Sequence, residues 1–488
     1  MPALLRGGLV VLCLGLLGFT QTCPGKEPVP PAQRSAAQLW ALTEIILEQH
    51  VAPPTRQELL LGSLLGLFQA SKSASPADLA RTVSGVTTQN EFSDLLSSCW
   101  PDKEKGLSAK EVQRALLQGM IARVPGGVRW VPAEQLKVEK QIQANRYVGI
   151  GIQLRLHAAE AYPQIITPFR RGPAHQAGAK PGDLMVEIDG VDTHKVNLSK
   201  VVDMLRGQAG TKVTVVVRQP GSKETRTLKM TRGEVPFASL AGFRRARQRD
   251  WTYRIGDSRV AYVAVRAIRA STLHEMRQLE HDLRREEARA LILDLRFCQG
   301  GLISHSALVA DALLDGGTLW TVQERGGRSK EIKADRDCLF RGWPMAVLIH
   351  PRTAPSAGWL AAALQDNERA VVIGQDLRGH VFVRELISLP GDAGAVELPT
   401  AYLERKRART GFNLDLLKSS PVLIVIPDQR VPLSDKQSKS LVQWLNWKEH
   451  TELASPAADE PPEDPQRTRA LALLEKKLAR VRDIERIP

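Results

Sequence analysis

The chain has 488 residues, 43% of them apolar, enough to bury sizeable cores and to split into two to four domains. The formal net charge is +14, yet Lys and Arg are dispersed among acids without a long basic run, which argues for a solvated surface and against a nucleic-acid groove. Met1-Pro2-Ala3-Leu4-Leu5-Arg6 carries one early positive charge, and an apolar run from Leu9 to Phe19 turns polar at Thr20. So short a run, followed by small and polar residues, reads as a secretory signal peptide over residues 1–22. The expected location is extracytoplasmic, secreted or periplasmic, with an uncleaved membrane anchor as the alternative. Cys13 lies in the apolar run. Cys23, Cys99, Cys298 and Cys338 fit no zinc spacing and are too sparse for a disulfide framework. No metal and no cofactor is expected, and one disulfide at most.

After a Pro-rich linker, Lys26 to Gln33, residues 34–138 read as a helical region. Ala37 to Leu47 has helical apolar spacing, and Leu59 to Phe68 continues it beyond the Pro53-Pro54 break. No acid, His or Cys cluster falls there, so its expected role is packing.

Residues 139–233 read as β-rich. Tyr147-Val148-Gly149-Ile150-Gly151-Ile152 is followed by a turn and short helix over Gly172 to Asp183, a strand and turn over Leu184 to Gly190, a helix over Val196 to Leu205 and an alternating strand over Thr211 to Arg218. This order resembles a PDZ domain. The resemblance implies that the loop of Val148, Gly149, Ile150, Gly151 and Ile152 offers backbone N–H groups to a peptide's terminal carboxylate, and that the next strand offers an edge for β-augmentation. Glycine suits such a loop because the backbone itself must approach the ligand. Protein or peptide C-termini are the implied partners; a self-occluded groove is the alternative.

Residues 245–449 alternate strands and helices, which implies a layered α/β core. Arg259 to Val265 is an expected strand and Thr272 to Arg285 a helix opened by a Thr272…Glu275 capping box. Ala290 to Asp294 is a continuous apolar strand leading to Gly300 and Gly301. Met345 to His350 is the next strand and Ser356 to Asn367 the next helix. Cys298, beside the glycines, reads as a small buried structural residue. Residues 451–466, Pro-rich and acidic, read as a mobile solvated linker, and residues 467–488 as a charged helix whose apolar Leu471, Leu473, Leu474, Leu478 and Val481 are expected to cap the domain, with pairing to another helix as the alternative. The fold class is multidomain α/β and α+β: a helical N-terminal region, a PDZ-like domain, an α/β core and a C-terminal helix.

Several ordered motifs resemble the C-terminal processing, or tail-specific, serine peptidases, a family that carries a PDZ domain. Asp294-Leu295-Arg296-Phe297-Cys298-Gln299-Gly300-Gly301-Leu302 is similar to the family's DLRNNPGGL. Ala312 to Gly317 is similar to its DLFLDGG, Ala363 to Asn367 to its LQDN-like helix end, Arg369 to Gly374 to its RAVVVGE, and Val425-Ile426-Pro427-Asp428 to its closing I-x-PD. The resemblance implies a tail-specific-protease-like core, an ancestral hydrolysis of peptides near protein C-termini, and a contribution of Gly300 and Gly301 to an oxyanion hole. A tight turn alone would also call for glycine.

Laid on the family's SASASE and GKG without gaps, the chain has Pro355 at the nucleophilic serine and His380 at the general-base lysine. Proline has no nucleophile, but it is well tolerated at a first helical position. A histidine with an unperturbed pKa near ~6.5 is able to act as a base. Ser356 is the rescue candidate, through a displaced Ser356–His380 dyad. Against it, one step along a helix turns a side chain by about 100°, so Ser356 is expected to face elsewhere as a helix cap. The family's Gln four residues after the base is Arg384. The expectation is a pseudoenzyme that binds peptides, with a partner protease or a second copy of the chain as further candidate partners.

Overall fold

The computed structural model describes residues 29–101, 107–133, 135–136, 148–169, 172–234, 239–245, 251–335, 337–389, 394–407, 422–450 and 462–485. The expected signal peptide and anchor lie outside them. No helix among the described residues is long and apolar enough to cross a membrane. The chain forms two compact units, Met1–Leu136 with Glu385–Leu398, and Lys137–Arg384 with Pro399–Pro488.

The first unit holds α1 (Pro31–Gln49), α2 (Arg56–Ala70), α3 (Leu79–Ser84), α4 (Gln89–Ser98), α5 (Ala109–Ile121) and β1 (Arg129–Val131). α1 begins inside the expected linker, with proline in its first turn, where the missing N–H breaks no helical bond. Capping boxes open α2 (Thr55 with Glu58), α4 (Thr88 with Glu91) and α5 (Ser108 with Glu111). α2 and α5 touch backbone to backbone: a Cβ on Gly119 would lie 2.2 Å from the Gly62 carbonyl oxygen. Leu39, Ile46, Leu60, Leu64, Phe92 and Leu116 fill the core, joined by Val396 and Leu398 from the strand against which β1 pairs.

The second unit begins with β2 (Val148–Gly149), β3 (Ile152–Leu156), β4 (Pro163–Pro168), α6 (Pro173–Gln176), β5 (Leu184–Ile188), β6 (Val191–Asp192), α7 (Leu198–Leu205), β7 (Lys212–Arg218), β8 (Thr225–Thr231) and β9 (Gly233–Glu234). The sheet order is β3-β4-β5-β7-β8, with β6 on β5, while β2 pairs with β9. Alternation in β7 sends Val213, Val215 and Val217 into the core, where Val201 and Leu205 of α7 meet them.

The remaining elements of the chain are β10 (Leu240–Ala241), β11 (Arg244–Arg245), β12 (Trp251–Thr252), β13 (Val260–Val265), α8 (Thr272–Arg285), β14 (Ala290–Asp294), α9 (Ile303–Leu313), β15 (Gly317–Glu324), β16 (Ser329–Ala334), β17 (Met345–Ile349), α10 (Pro355–Asp366), β18 (Val371–Gly374), β19 (Leu377–His380), β20 (Phe382–Ser388), β21 (Ala395–Glu404), β22 (Val422–Val425), β23 (Gln429–Arg430), α11 (Asp435–His450) and α12 (Pro465–Glu485), all in the second unit except the stretch of β20 and β21 within Glu385–Leu398. The main sheet of the second unit runs β10-β13-β14-β17-β18-β23, parallel from β13 onward. β13, β14 and β17 are buried at every residue, the consequence of helices on both faces of a parallel sheet. Such sheets carry their sites beyond the carboxyl ends of the strands. Gly300, Pro355 and His380 all follow such ends.

Two expectations need correction. The Thr272…Glu275 capping box does not form: Ser271 is the N-cap, and Glu275 instead accepts the N–H groups of Ser239 at 2.8 Å and Leu240 at 3.2 Å, while the Thr272 hydroxyl accepts from Arg269 N at 2.8 Å. Tertiary backbone donors have taken the carboxylate that a local box would use. The linker expected to reach Gln466 and stay mobile ends sooner. Asp464, Gln466 and Arg467 are buried, α12 starts at Pro465, and Ala470 and Leu474 are packed in the core. Asp464 caps the helix by accepting from Arg467 N at 3.1 Å, and its carboxylate also meets a buried arginine. That pairing makes the helix part of the domain.

Candidate functional site

The chain leaving β14 turns at Gly300, whose φ of +74° favours glycine. A Cβ there would lie 2.7 Å from Ser356 Oγ and 2.8 Å from Ala354 Cβ, and a Cβ on Gly301 would lie 1.7 Å from the Ile268 carbonyl oxygen. Packing alone therefore demands both glycines. Ala354 N donates to Cys298 O at 3.1 Å, which ties this turn to the start of α10. Ala354 is the N-cap residue, without a side-chain cap, and Pro355 is the first helical residue.

Ser356 does not cap α10. Its Oγ accepts the Gly301 N–H at 2.9 Å. Pro355 instead packs on β19, where a Cβ on Gly379 would lie 3.4 Å from the proline's Cα and Cβ. The turn of about 100° between neighbouring helical residues separates their directions as expected, but the direction left to Ser356 is that of the glycine turn. His380 is exposed on β19, opposite Val422, and its carbonyl accepts from Trp359 Nε1 at 3.4 Å. The first turn of α10 thus meets the glycine turn through Ser356 and, through Pro355, the strand that ends in His380.

Next to the glycine turn lies a buried, charged cluster. Arg296 is fully buried, donating to both carboxylate oxygens of Asp294 at 2.6–3.0 Å and to both of Asp464 at 2.8–2.9 Å. Tyr262 donates to Asp294 at 2.5 Å, and Gln466 Oε1 accepts from Arg296 at 3.2 Å. Burial opposes charge on Asp464, but Arg296 and then Arg467 hold its carboxyl below the usual range. Burial pushes the Cys298 thiol up to about 12, which leaves it inert as a nucleophile at neutral pH. His350 is pulled down to about 4 by burial and by the Arg296 and Arg352 cations; its Nδ1 accepts from Arg352 N at 3.1 Å. The Thr353 hydroxyl donates to Leu295 O at 2.8 Å and accepts from His350 N at 3.1 Å, joining the two loops of the site.

Sequence reasoning missed the Arg296–Asp464 pair, which spans 168 positions. A local signal was present: Asp464-Pro465 is an N-cap residue followed by proline at the first helical position.

In the β-rich part of the unit, Val148 and Gly149 pair with Glu234 and Gly233. Ile150 is buried, its carbonyl accepting from Ala174 N at 2.8 Å, and Gly151, with φ +72°, accepts from Phe169 N at 2.7 Å. Ile152 opens β3, which among the described residues is an edge strand paired only with β4. α7 lies along β3, so an extended segment added to that edge would run between them.

Residues 259–415 match Peptidase family S41, and residues 169–219 match the PDZ domain. A carboxyl-terminal-processing protease of Picosynechococcus sp. is 27% identical over 62% of this chain and 69% of its own length. The chloroplastic C-terminal processing peptidase of Tetradesmus obliquus is 26% identical over 62% of this chain and 65% of its own length. The match thus spans about two thirds of each relative. Among solved structures, a photosystem II D1 C-terminal processing protease covers 81% of this chain and 92% of its own, with 22% identity and a TM-score of 0.41.

Proposed function

The chain belongs to the C-terminal processing peptidases by its Peptidase family S41 and PDZ domains, and from that premise we propose that it binds protein or peptide C-termini without hydrolysing them. One observation carries this reading. Ser356 Oγ takes the Gly301 N–H at 2.9 Å, a donor that a tetrahedral oxyanion would need, beside a proline that offers no nucleophile. Binding would use the β3 edge, with main-chain hydrogen bonds supplying affinity and the Gly149–Ile152 segment receiving the carboxylate. Calorimetry with apolar-ended peptides tests it: free-acid peptides bind, and their C-terminal amides bind at least ~10-fold more weakly, or about 1.4 kcal/mol. Equal affinities would sink carboxylate capture. An extracytoplasmic location belongs with this reading, supported by the apolar run from Leu9 to Phe19.

The direction of Ser356 favours a second reading, a displaced Ser356–His380 dyad. Here Ser356 would leave the Gly301 amide, pass its proton to His380 and attack the peptide carbonyl, whose oxygen would take the vacated N–H. A serine-directed activated phosphonate separates the two, because labelling needs only the first nucleophilic step. The natural chain and Ser356→Ala are expected to stay unlabelled, and Pro355→Ser combined with His380→Lys to gain labelling. Labelling of the natural chain that vanishes in Ser356→Ala would establish the dyad.

A further inference from the structure

The C-terminal helix α12 is locked at its first turn by Asp464, and its later turns border an open depression of about 460 Å³ on the core. Four cations line that cavity, Arg341, Arg369, Lys477 and Arg480, with two acids, Asp315 and Glu368. Both acids are already engaged. Asp315 pairs with Arg341 at 2.8 Å, and exposed Glu368 lies 3.6 Å from Arg407, outside the lining. Arg369 donates to three carbonyl oxygens, those of Leu313 and Trp343 at 2.8 Å and Phe340 at 2.9 Å, which carry no net charge, and it also meets the Cys338 thiol. Lys477 and Arg480 have no hydrogen bond or ion pair to another described residue. Three cations thus face one space without a carboxylate of their own. The carboxyl end of α12 supplies the equivalent of only about half a negative charge, too little to balance them.

We propose that this cavity binds a multivalent oxyanion of the phosphate class, held by Lys477 and Arg480 from the helix and Arg369 from the core. Such an anion replaces repulsion among the cations with charge-assisted hydrogen bonds, and it fastens the free end of α12 to the domain. Burial already holds the Arg369 guanidinium below its usual pKa, the state of a cation that lacks a counter-charge.

Calorimetry of the full chain with inorganic pyrophosphate at fixed ionic strength is the test, alongside Lys477→Glu combined with Arg480→Glu, the neutral pair Lys477→Gln and Arg480→Gln, and Glu368→Gln. Lys477 is half-buried and Arg480 exposed, and neither belongs to the packed core, so the fold is expected to persist, and circular dichroism checks it. Pyrophosphate should bind saturably to the natural chain and raise its melting temperature. Affinity should fall at least ~10-fold in the neutral pair and further in the reversed pair, and rise in Glu368→Gln. The half-buried Cys338 thiol lines the same cavity, so its alkylation, read by mass spectrometry, should slow when pyrophosphate is present. Absence of saturable binding at millimolar concentration, undiminished affinity in the reversed pair, or unchanged Cys338 alkylation with pyrophosphate bound would each overturn the assignment.

Discussion

The floor of the candidate site and its rim obey different rules. On the floor, Asp294, Arg296, Tyr262 and Asp464 are buried and joined by hydrogen bonds, with the Arg296 guanidinium shared by the two carboxylates and Arg467 3.7 Å from Asp464. On the rim, Pro355, Ser356 and His380 are half-buried or exposed. A buried charge that loses its partner destabilises the whole domain. A half-exposed side chain can change with little cost to folding. The fold therefore constrains the floor and leaves the rim free, so an intact glycine turn over an intact floor is evidence for the scaffold and not for chemistry.

The largest expected effect is on the floor. Asp464→Ala leaves the second carboxylate site of Arg296 empty and removes the cap of α12. The expected loss is roughly 3–5 kcal/mol, with the cap accounting for about 1 of it. Urea denaturation of the full chain measures it. A cost below about 1 kcal/mol would mean that the C-terminal helix is dispensable and that floor and rim do not differ in kind.

What was legible in the sequence follows the same division. β13, β14 and β17 could be read because a strand buried on both faces is an unbroken apolar run, and Cys298 because a small residue beside a tight turn is buried by default. The start of α10 fell one residue early, at Pro355, where a first-turn proline was anticipated. The interactions that were not legible are the ones that join distant segments. Glu275 stands where a local capping box would use it, yet backbone groups 35 and 36 positions away claim it. Asp464 belongs to an acidic, Pro-rich stretch whose composition reads as solvated, and only Arg296, 168 positions earlier, draws it inside. Periodicity reports which face of an element is buried. It does not report which partner waits there.

An intermediate effect should appear on acidification. His350 is held down to about 4 in the folded chain, against about 6.5 when unfolded. A group whose folded pKa is depressed contributes stability above its unfolded value, and loses it as pH falls toward the folded one. The chain should therefore lose stability between about pH 6.5 and 4. Asp464, depressed by Arg296, contributes above the unfolded carboxyl value of about 3.9 and fails at lower pH. His350→Asn should flatten the upper part of a stability-against-pH curve and leave the lower part. An unchanged slope between pH 6.5 and 4 would assign that loss to other groups.

The smallest expected effect is on the rim, and it bears most directly on function. Ser356→Ala deletes one hydrogen bond, to the exposed Gly301 amide. Water can replace the hydroxyl, so the net contribution belongs at or below the low end of the usual 0.5–1.5 kcal/mol, and a loss of about 0.5 kcal/mol is expected. The Gly301 N–H should exchange faster with solvent deuterium once its acceptor is gone, which amide-resolved exchange would detect. Peptide affinity at the β3 edge should stay within about twofold of the natural chain, because no residue of that edge or of α7 contacts Ser356 in any bond described above. A loss near 3 kcal/mol would move Ser356 from the rim to the floor, as a structural tie between the glycine turn and α10. A small loss with a freed amide would leave the hydroxyl what the proposed function makes it: an occupant of the Gly301 donor.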